Sequence, residues 1–175
     1  MRSAHTRVIL VTMTGIPRPL VANLLGVDES TLPPGDLPVD RLAAHLLAYL
    51  RDTADDDPSE SSLRAHPKAW AYALTDALCA NAPEHALTLV QAAVAQAAAP
   101  DDVAMIAAGP LEDLLARHGA DVIAMIETLA KGSARMRFAL SGVWPEQVNP
   151  MVWARVEAAR APGPELDAGD AMPPA

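Results

Sequence analysis

The chain has 175 residues, a mass of 18.4 kDa, a net charge of −9, 51% apolar residues and one cysteine. That length and apolar content suit one domain with a core, and they exclude a disordered chain, a collagen-like repeat, a disulfide scaffold and a cysteine-based zinc site. Thirty-six alanines against six aromatic residues favour helices over sheets, while 16 prolines and 9 glycines divide the helices into short pieces.

The start of the chain predicts a short appendage. Residues 1–16 are compatible with a strand or with a first helix. Pro17 to Leu25 predicts a short helix, because proline suits the first helical position and Gly26 follows as a stop. A break rich in proline and glycine follows at residues 31–36. We therefore assign residues 1–38 to an N-terminal appendage.

Residues 39–160 carry the helical pattern. Apolar residues recur there every three or four positions, which is typical of amphipathic helices. Asn149, followed by a proline, predicts the cap of the last helix. The polar stretch 52–62, with three consecutive aspartates, predicts an exposed acidic loop within this all-α domain. Residues 161–175, rich in proline, glycine and aspartate, predict a disordered tail.

The helix spacing sets the predicted fold class. Grouped in pairs, the helices start near residues 67, 101 and 133, at intervals of 34 and 32 residues. Helical-hairpin solenoids repeat at such intervals, although no signature residues recur in this chain. Gly119 and Gly132 each predict the end of a helix. We predict an all-α fold, an irregular array of stacked helical hairpins that is either a HEAT-like solenoid or a bundle.

The most unusual stretch is Ala107-Ala-Gly-Pro-Leu-Glu-Asp-Leu-Leu115. Gly109 and Pro110 interrupt a helical pattern there, and Pro110 has no N–H to donate, so we expect the helix to kink or to restart. If it restarts, Glu112 and Asp113 lie in its first turn, where free N–H groups and the helix dipole stabilise carboxylates. We predict that at least one of these acids is structural and pairs with Arg137 or with those N–H groups.

A catalytic interpretation of the same stretch stays open. A kink could expose a polar concavity in which Glu112 or Asp113 acts as a general base, with His118 as the one nearby partner. A nucleophile made of Cys79 and His85 is less favoured than a buried, inert thiol. The five histidines offer no pair at metal-ligand spacing, and no phosphate-binding glycine loop is present. We therefore predict no catalytic residue, no metal and no cofactor, and keep a hydrolase using Glu112, Asp113 and His118 as an alternative.

Three pieces of the sequence resemble a bacterial family with no established activity, domain of unknown function 6869. They are the stretch at 107–115, Arg137-Phe-Ala-Leu-Ser-Gly-Val-Trp144 and Val152-Trp-Ala-Arg155. The likeness covers roughly residues 40–160. It implies an all-α fold and no substrate, and it marks as motif positions Gly109, Pro110, Glu112, Asp113, Arg137 and Trp144.

Residues 15–32 are similar to a helix-turn-helix of the phage or resolvase kind. In such motifs a short helix ends in Leu-Gly-Val, and Ser/Thr-x-Leu opens the recognition helix; both signatures are present. However, Pro33-Pro34-Gly35 stops that second helix after one turn. The turn also lacks the basic residues that reach bases and phosphates.

Charge limits the expected partners. A chain with a net charge of −9 repels nucleic acid and anionic membranes. No apolar run approaches a membrane span, and Val8 to Met13 is too short for a signal-peptide core, so we expect a soluble cytoplasmic protein. We interpret the chain as a non-enzymatic protein-interaction module whose partner is another protein, without membrane or nucleic-acid binding. A DNA-associated regulator using residues 8–36 is the first alternative, and the hydrolase is the second.

Overall fold

The computed structural model describes residues 14–54 and 60–175. Helices dominate these residues, and the two strands found there have two residues each, which confirms the predicted all-α fold. Predictions for residues 1–13 and 55–59 lie outside the described residues. In chain order the elements are β1 (Gly15–Ile16), α1 (Arg18–Leu25), a 3₁₀ turn (Glu29–Thr31), β2 (Leu37–Pro38), α2 (Val39–Thr53), α3 (Glu60–Ala65), α4 (Ala69–Asn81), α5 (Pro83–Gln96), α6 (Pro100–Ile106), a π turn (Ala107–Leu111), α7 (Glu112–Gly132), α8 (Ala134–Ser141) and α9 (Pro150–Arg160).

The described part of the predicted appendage, residues 14–38, packs onto the helical domain. α1 ends at Gly26, whose φ of 65° is a left-handed conformation that glycine adopts without a Cβ clash. β1 pairs antiparallel with β2, and the Thr14 carbonyl accepts a hydrogen bond from the Val39 N–H at 3.1 Å. Ile16 is fully buried, and α1 contacts α4, so this segment shares the core of the domain.

Helix α5 is the centre of the domain. It contacts α2, α4, α6, α7 and α8, while α9 covers α7 and α8. The apolar faces predicted from the three-and-four spacing meet in one buried cluster. In a solenoid each repeat contacts only its neighbours. A central helix surrounded by five others is typical of an irregular bundle, and the predicted solenoid arrangement is not confirmed.

A kink interrupts α7 beside Gly119. The backbone of His118 is non-helical (φ −132°, ψ 20°), and two helical segments meet there within α7, so the predicted break lies one residue before Gly119. A Cβ added at Gly119 would lie 2.8 Å from Cγ1 of Val152 in α9. Glycine is therefore also needed here for close packing between α7 and α9.

The predicted acidic loop at 52–62 is shorter in the structure. α2 continues to Thr53, and α3 begins at Glu60. Asp52, in the last turn of α2, pairs with the Lys68 ammonium at 3.2 Å. Part of the acidic stretch therefore belongs to helices, because tertiary contacts extend them beyond the apolar pattern.

The tail at 161–175 lies against the helices, which differs from its predicted disorder. Ser141 Oγ accepts a hydrogen bond from the Leu166 N–H at 2.8 Å. Arg135 Nε, buried in α8, donates to the Pro173 carbonyl at 2.9 Å. A composition rich in proline and glycine gives no sign of these contacts, because their partners lie far away in the sequence.

Two buried polar side chains secure helix ends in the domain. Nη1 of Arg135 donates to the carbonyls of Ala95 at 3.1 Å and Ala97 at 3.0 Å, where a cation also suits the C-terminal dipole of α5. Asp102, in the first turn of α6, accepts hydrogen bonds from Nε and Nη2 of Arg51, both at 2.7 Å. The Arg51 guanidinium lowers the pKa of Asp102 to about 2. Both contacts join segments distant in sequence.

Candidate functional site

The stretch predicted to kink or restart a helix forms a π turn between two helices. Ala107–Leu111 joins α6 to α7, and the Glu112 N–H donates to the carbonyls of Ala107 and Gly109. The wider turn accommodates Pro110, which lacks an N–H and whose ring clashes inside an α-helix. α7 begins at Glu112, so Glu112 and Asp113 lie in the first turn of a new helix, as predicted for a restart. The Glu112 N–H is already bonded, however, and is not one of the predicted free donors.

A cavity of about 210 Å³ lies beside the π turn. Its wall includes the Pro110 carbonyl, which accepts a hydrogen bond from the Cys79 thiol at 3.5 Å. π turns are frequent at functional sites, so this cavity is the first candidate site in the domain. It brings together three of the predicted motif positions. Its lining residues are Leu50, Tyr72, Thr75, Asp76, Cys79, Met105, Ala108, Gly109, Pro110 and Asp113.

The titratable groups of this cavity do not form a nucleophilic site. Burial raises the pKa of the Cys79 thiol to about 12, and the carboxylates of Asp113 and Asp76 add to the rise. Burial also raises the pKa of Tyr72, again with contributions from Asp76 and Asp113. Asp76 already pairs with Arg117 at 3.4 Å. A thiol that stays protonated at neutral pH is a poor nucleophile, which supports the inert-thiol interpretation.

Glu112 contacts another of the predicted motif positions, Trp144. Its carboxylate accepts a hydrogen bond from the Trp144 backbone N–H at 3.2 Å, which ties the start of α7 to the segment after α8. The Trp144 side chain remains 55% exposed. Glu112 therefore has a structural role, because its carboxylate accepts a backbone N–H. The donor is Trp144, which the sequence did not predict as the partner.

Arg137 pairs with neither predicted acid. Its Nη1 donates to the Ala130 carbonyl at 2.6 Å, near the end of α7. Glu112 lies 18 residues before Ala130, which is on the order of 27 Å along a straight helix. Arg137 is therefore a C-terminal cap of α7, and the predicted pairing with Glu112 or Asp113 is corrected.

The residues of the hydrolase alternative each have other neighbours. His118 lies 3.0 Å from the Ala80 carbonyl through Nε2 and 3.6 Å from the Asp121 carboxylate through Nδ1. Glu112 accepts the Trp144 N–H, whereas Asp113 faces the cavity at the π turn. Across residues 14–54 and 60–175, no group of three or more His, Cys, Asp and Glu side chains is placed to hold a metal ion.

A larger recess, which we call the N-terminal groove, has a volume of about 540 Å³. It lies between α1, the segment that follows α1, and α4. Val27 is 43% exposed at the groove, and Trp70 forms a wall while packing edge-on against His45. The lining residues are Arg18, Val21, Leu25, Val27, Thr31, Leu32, Pro33, Pro34, Gly35, Asp36, Leu37, Pro38, Arg41 and Trp70.

The two arginines of the N-terminal groove have different surroundings. Arg18 is held in place, because its Nη2 donates to the carbonyls of Glu29 and Leu32 and its Nη1 lies 3.8 Å from the Glu29 carboxylate. Nε of Arg18 is buried without a hydrogen-bond partner. Arg41, on the first turn of α2, is exposed and forms no ion pair with any carboxylate in the described ranges. Arg41 is therefore the cation that the groove offers to a ligand.

The helix-turn-helix likeness does not extend to a recognition helix in the described residues. α1 is followed by the single 3₁₀ turn Glu29–Thr31, which Pro33 and Pro34 stop as predicted. Asp28 caps this turn by accepting the Ser30 N–H at 2.8 Å. In the described residues 14–36, α1 is therefore followed by an acidic 3₁₀ turn and not by a second helix.

Fold and site together define an all-α domain with a proline-containing π turn in its core and a groove at its N-terminal side. A family model described as a family of unknown function (DUF6869) matches residues 58–163. The match covers more than half of the chain, so the chain belongs to this family, which confirms the predicted resemblance. No curated protein and no solved structure matches the chain. In the described residues, every helix is too short or too polar to cross a membrane.

The sequence singled out the stretch at 107–115, without its π turn, and did not point to the N-terminal groove. All of the groove's lining residues except Trp70 precede the family match, which starts at residue 58. A usable signal was present, since Leu25, Val27 and Leu32 are apolar residues beside a proline-rich break. That pattern shows apolar side chains that a short helix cannot bury, but not that they surround a recess.

Proposed function

We propose that this protein is a non-enzymatic protein-interaction module and that the N-terminal groove is its contact surface. The observation that supports this proposal is the groove itself, a mainly apolar recess of about 540 Å³ with convergent polar groups at its edge. Pockets for small ligands are typically concave and apolar, with volumes of roughly 300–1,000 Å³ and a few fixed polar groups, so a recess of this size can enclose a side chain of a partner. The smaller cavity at the π turn has only about 210 Å³.

Exposed apolar surface in the N-terminal groove gives a partner a source of binding energy. Val27 is 43% exposed, and the neighbouring Leu25, Leu32 and Trp70 are only partly buried. Removing such surface from water stabilises a complex by about 25 cal/mol for each Å² of apolar area. A partner side chain that fills the groove would bury these residues together.

Site-specific photo-crosslinking tests the contact surface. A photoreactive amino acid at Thr31, which is exposed in the groove, should capture a partner from a lysate of the source organism. The same amino acid at Met151, which is 79% exposed on α9, serves as the control position. We expect a product from Thr31 that is absent from Met151, and the purified partner should then bind the purified chain.

A charge placed in the groove should abolish that binding. Val27→Asp puts a carboxylate into the apolar recess, whereas Met151→Asp places the same charge in the first turn of α9, where it suits the helix dipole. We expect the first variant to lose the partner and the second to keep it. Equal binding by the two variants would show that the groove is not the contact surface.

A further inference from the structure

We infer that the N-terminal groove recognises an acidic-apolar segment of its protein partner, with a carboxylate on Arg41 and an apolar side chain against the groove wall. This inference rests on the proposed function and specifies the chemistry of the partner. The wall in question is formed by Val21 and Leu25 of α1 and by Trp70 of α4.

The charges at the groove are paired except for one. Glu29 lies 3.8 Å from the Arg18 guanidinium, and the Asp36 carboxylate accepts the Arg18 backbone N–H at 3.4 Å and forms no ion pair with Arg41. Arg41 is therefore the lining cation without a pairing carboxylate in the described part of the chain. A carboxylate of a partner is attracted to Arg41, while a lysine or arginine is repelled from it.

Arg41 is the residue available for that carboxylate. The Arg18 guanidinium is already committed to the Glu29 and Leu32 carbonyls. Arg41 lies at the edge of the same recess, forms no ion pair with the carboxylates of the described residues, and can offer two parallel N–H groups to a carboxylate. The position of Arg41 beside apolar side chains thus requires an acidic and an apolar residue close together in the ligand.

The proline-rich wall favours recognition through side chains. Pro33, Pro34 and Pro38 line the groove, and none of them has a backbone N–H to donate. A peptide added as an edge strand needs a row of main-chain donors and acceptors, which this wall supplies poorly. Specificity then depends on the side chain that fills the recess and on the acidic group that reaches Arg41.

Selection from a random peptide library displayed on phage, using the full chain as bait, tests this chemistry. We expect enriched peptides to combine Asp or Glu with Leu, Ile, Phe or Trp at neighbouring positions. Fluorescence anisotropy of an enriched peptide should show binding about three- to fivefold weaker for Arg41→Gln and about tenfold weaker or more for Arg41→Glu. Arg64→Gln is the matched control, since Arg64 is an arginine with a 77% exposed side chain outside the groove, and it should bind like wild type.

The outcomes separate the two proposals. The acidic-apolar preference would be overturned if Val27→Asp abolishes peptide binding but the enriched peptides carry no acidic residue, or bind Arg41→Gln as tightly as wild type. The groove would then remain the contact surface. Both proposals would be overturned if the peptides bind Val27→Asp as tightly as wild type, or if no peptide is enriched. Displacement of the enriched peptide by single-stranded DNA at about 150 mM salt would also overturn the peptide preference, because the groove would then recognise a polyanion.

Discussion

The π turn and the N-terminal groove both contain prolines, and the two regions use them in opposite ways. Pro110 is buried within a continuous helical path, because one extra residue in the turn removes the need for its missing N–H. Pro33, Pro34 and Pro38 are exposed and form the wall of a recess. Pro110 is part of the core because buried apolar residues, Ile106 and Leu111, lie on both sides of it. Pro33, Pro34 and Pro38 do not have buried apolar residues on both sides and stay at the surface.

In residues 58–163, which we call the family domain, Arg135, Arg137 and Glu112 each bond to main-chain groups of another element. In the N-terminal groove Arg18 also donates to backbone carbonyls, but Arg41 is left unpaired among the described residues and Val27 is half exposed. We therefore expect substitutions in the family domain to change stability, and substitutions in the groove to change binding alone.

The largest loss of stability is expected from Arg135→Met. This change leaves the Ala95, Ala97 and Pro173 carbonyls without their buried donor and should lower the free energy of unfolding by about 3 kcal/mol. Urea unfolding measures it, and Arg155→Met is the control, because Arg155 is a 47% exposed arginine paired with Glu127. Equal stability of the two variants would contradict the capping role of Arg135.

A smaller loss is expected from Asp102→Asn, and it should depend on pH. The pKa of Asp102 falls from 3.8 to about 2 on folding. Its contribution is therefore present above about pH 5 and disappears as pH falls through 3.8 to about 2. We expect a loss of about 1–2 kcal/mol at pH 7, since the half-exposed Arg51 is partly screened by solvent, and a much smaller loss near pH 2.

Unfolding at several pH values measures this difference between Asp102→Asn and wild type. Asp101→Asn is the matched control, because Asp101 is exposed in the same first turn of α6. A loss for Asp102→Asn that is the same at pH 7 and pH 2 would exclude its ionised carboxylate as the cause.

Two glycines of the family domain should respond to alanine with opposite signs. At Gly119 the new Cβ would meet Val152 Cγ1 at 2.8 Å, and valine has little freedom to rotate away, so we expect a net loss of about 1 kcal/mol. At Gly109 no atom beyond the neighbouring backbone of its own helix lies within 4 Å of the new Cβ. Alanine there should stabilise by about 0.5–1 kcal/mol, because it costs less conformational entropy. Thermal melting of both variants measures the contrast, and destabilisation by Gly109→Ala would show that the π turn requires glycine.

The smallest change in stability is expected from Val27→Asp, although that variant should lose binding. Val27 is 43% exposed, so we expect a change within about 0.5 kcal/mol, close to that of Met151→Asp. Circular dichroism melts of both variants measure it. A large loss of stability in Val27→Asp would show that Val27 contributes to the core. The expected difference between the N-terminal groove and the family domain would then be wrong.

The sequence by itself determined the fold class, most helices and the family. Spacing of three and four residues marks a buried helical face, and Pro17, Gly26 and Asn149 mark helix ends by local chemistry. Asn149, for example, accepts the Met151 N–H at 2.9 Å, as its place before a proline predicts. These features depend on neighbours within a few residues along the chain, which is the range over which a sequence pattern carries information.

Tertiary structure decided which polar groups meet and where a recess forms. The bonds from Arg137 to Ala130 and from Trp144 to Glu112 depend on how α7 and α8 pack, and sequence spacing cannot show this. Gly119 resembles a helix stop in the sequence, yet only its contact with Val152 shows that it lies where two helices touch. The N-terminal groove likewise exists because α1 packs on α4 while the bent segment with Pro33 and Pro34 lines the space beside them. A pattern of single residues describes each segment, whereas concavity and pairing are properties of segments brought together in space.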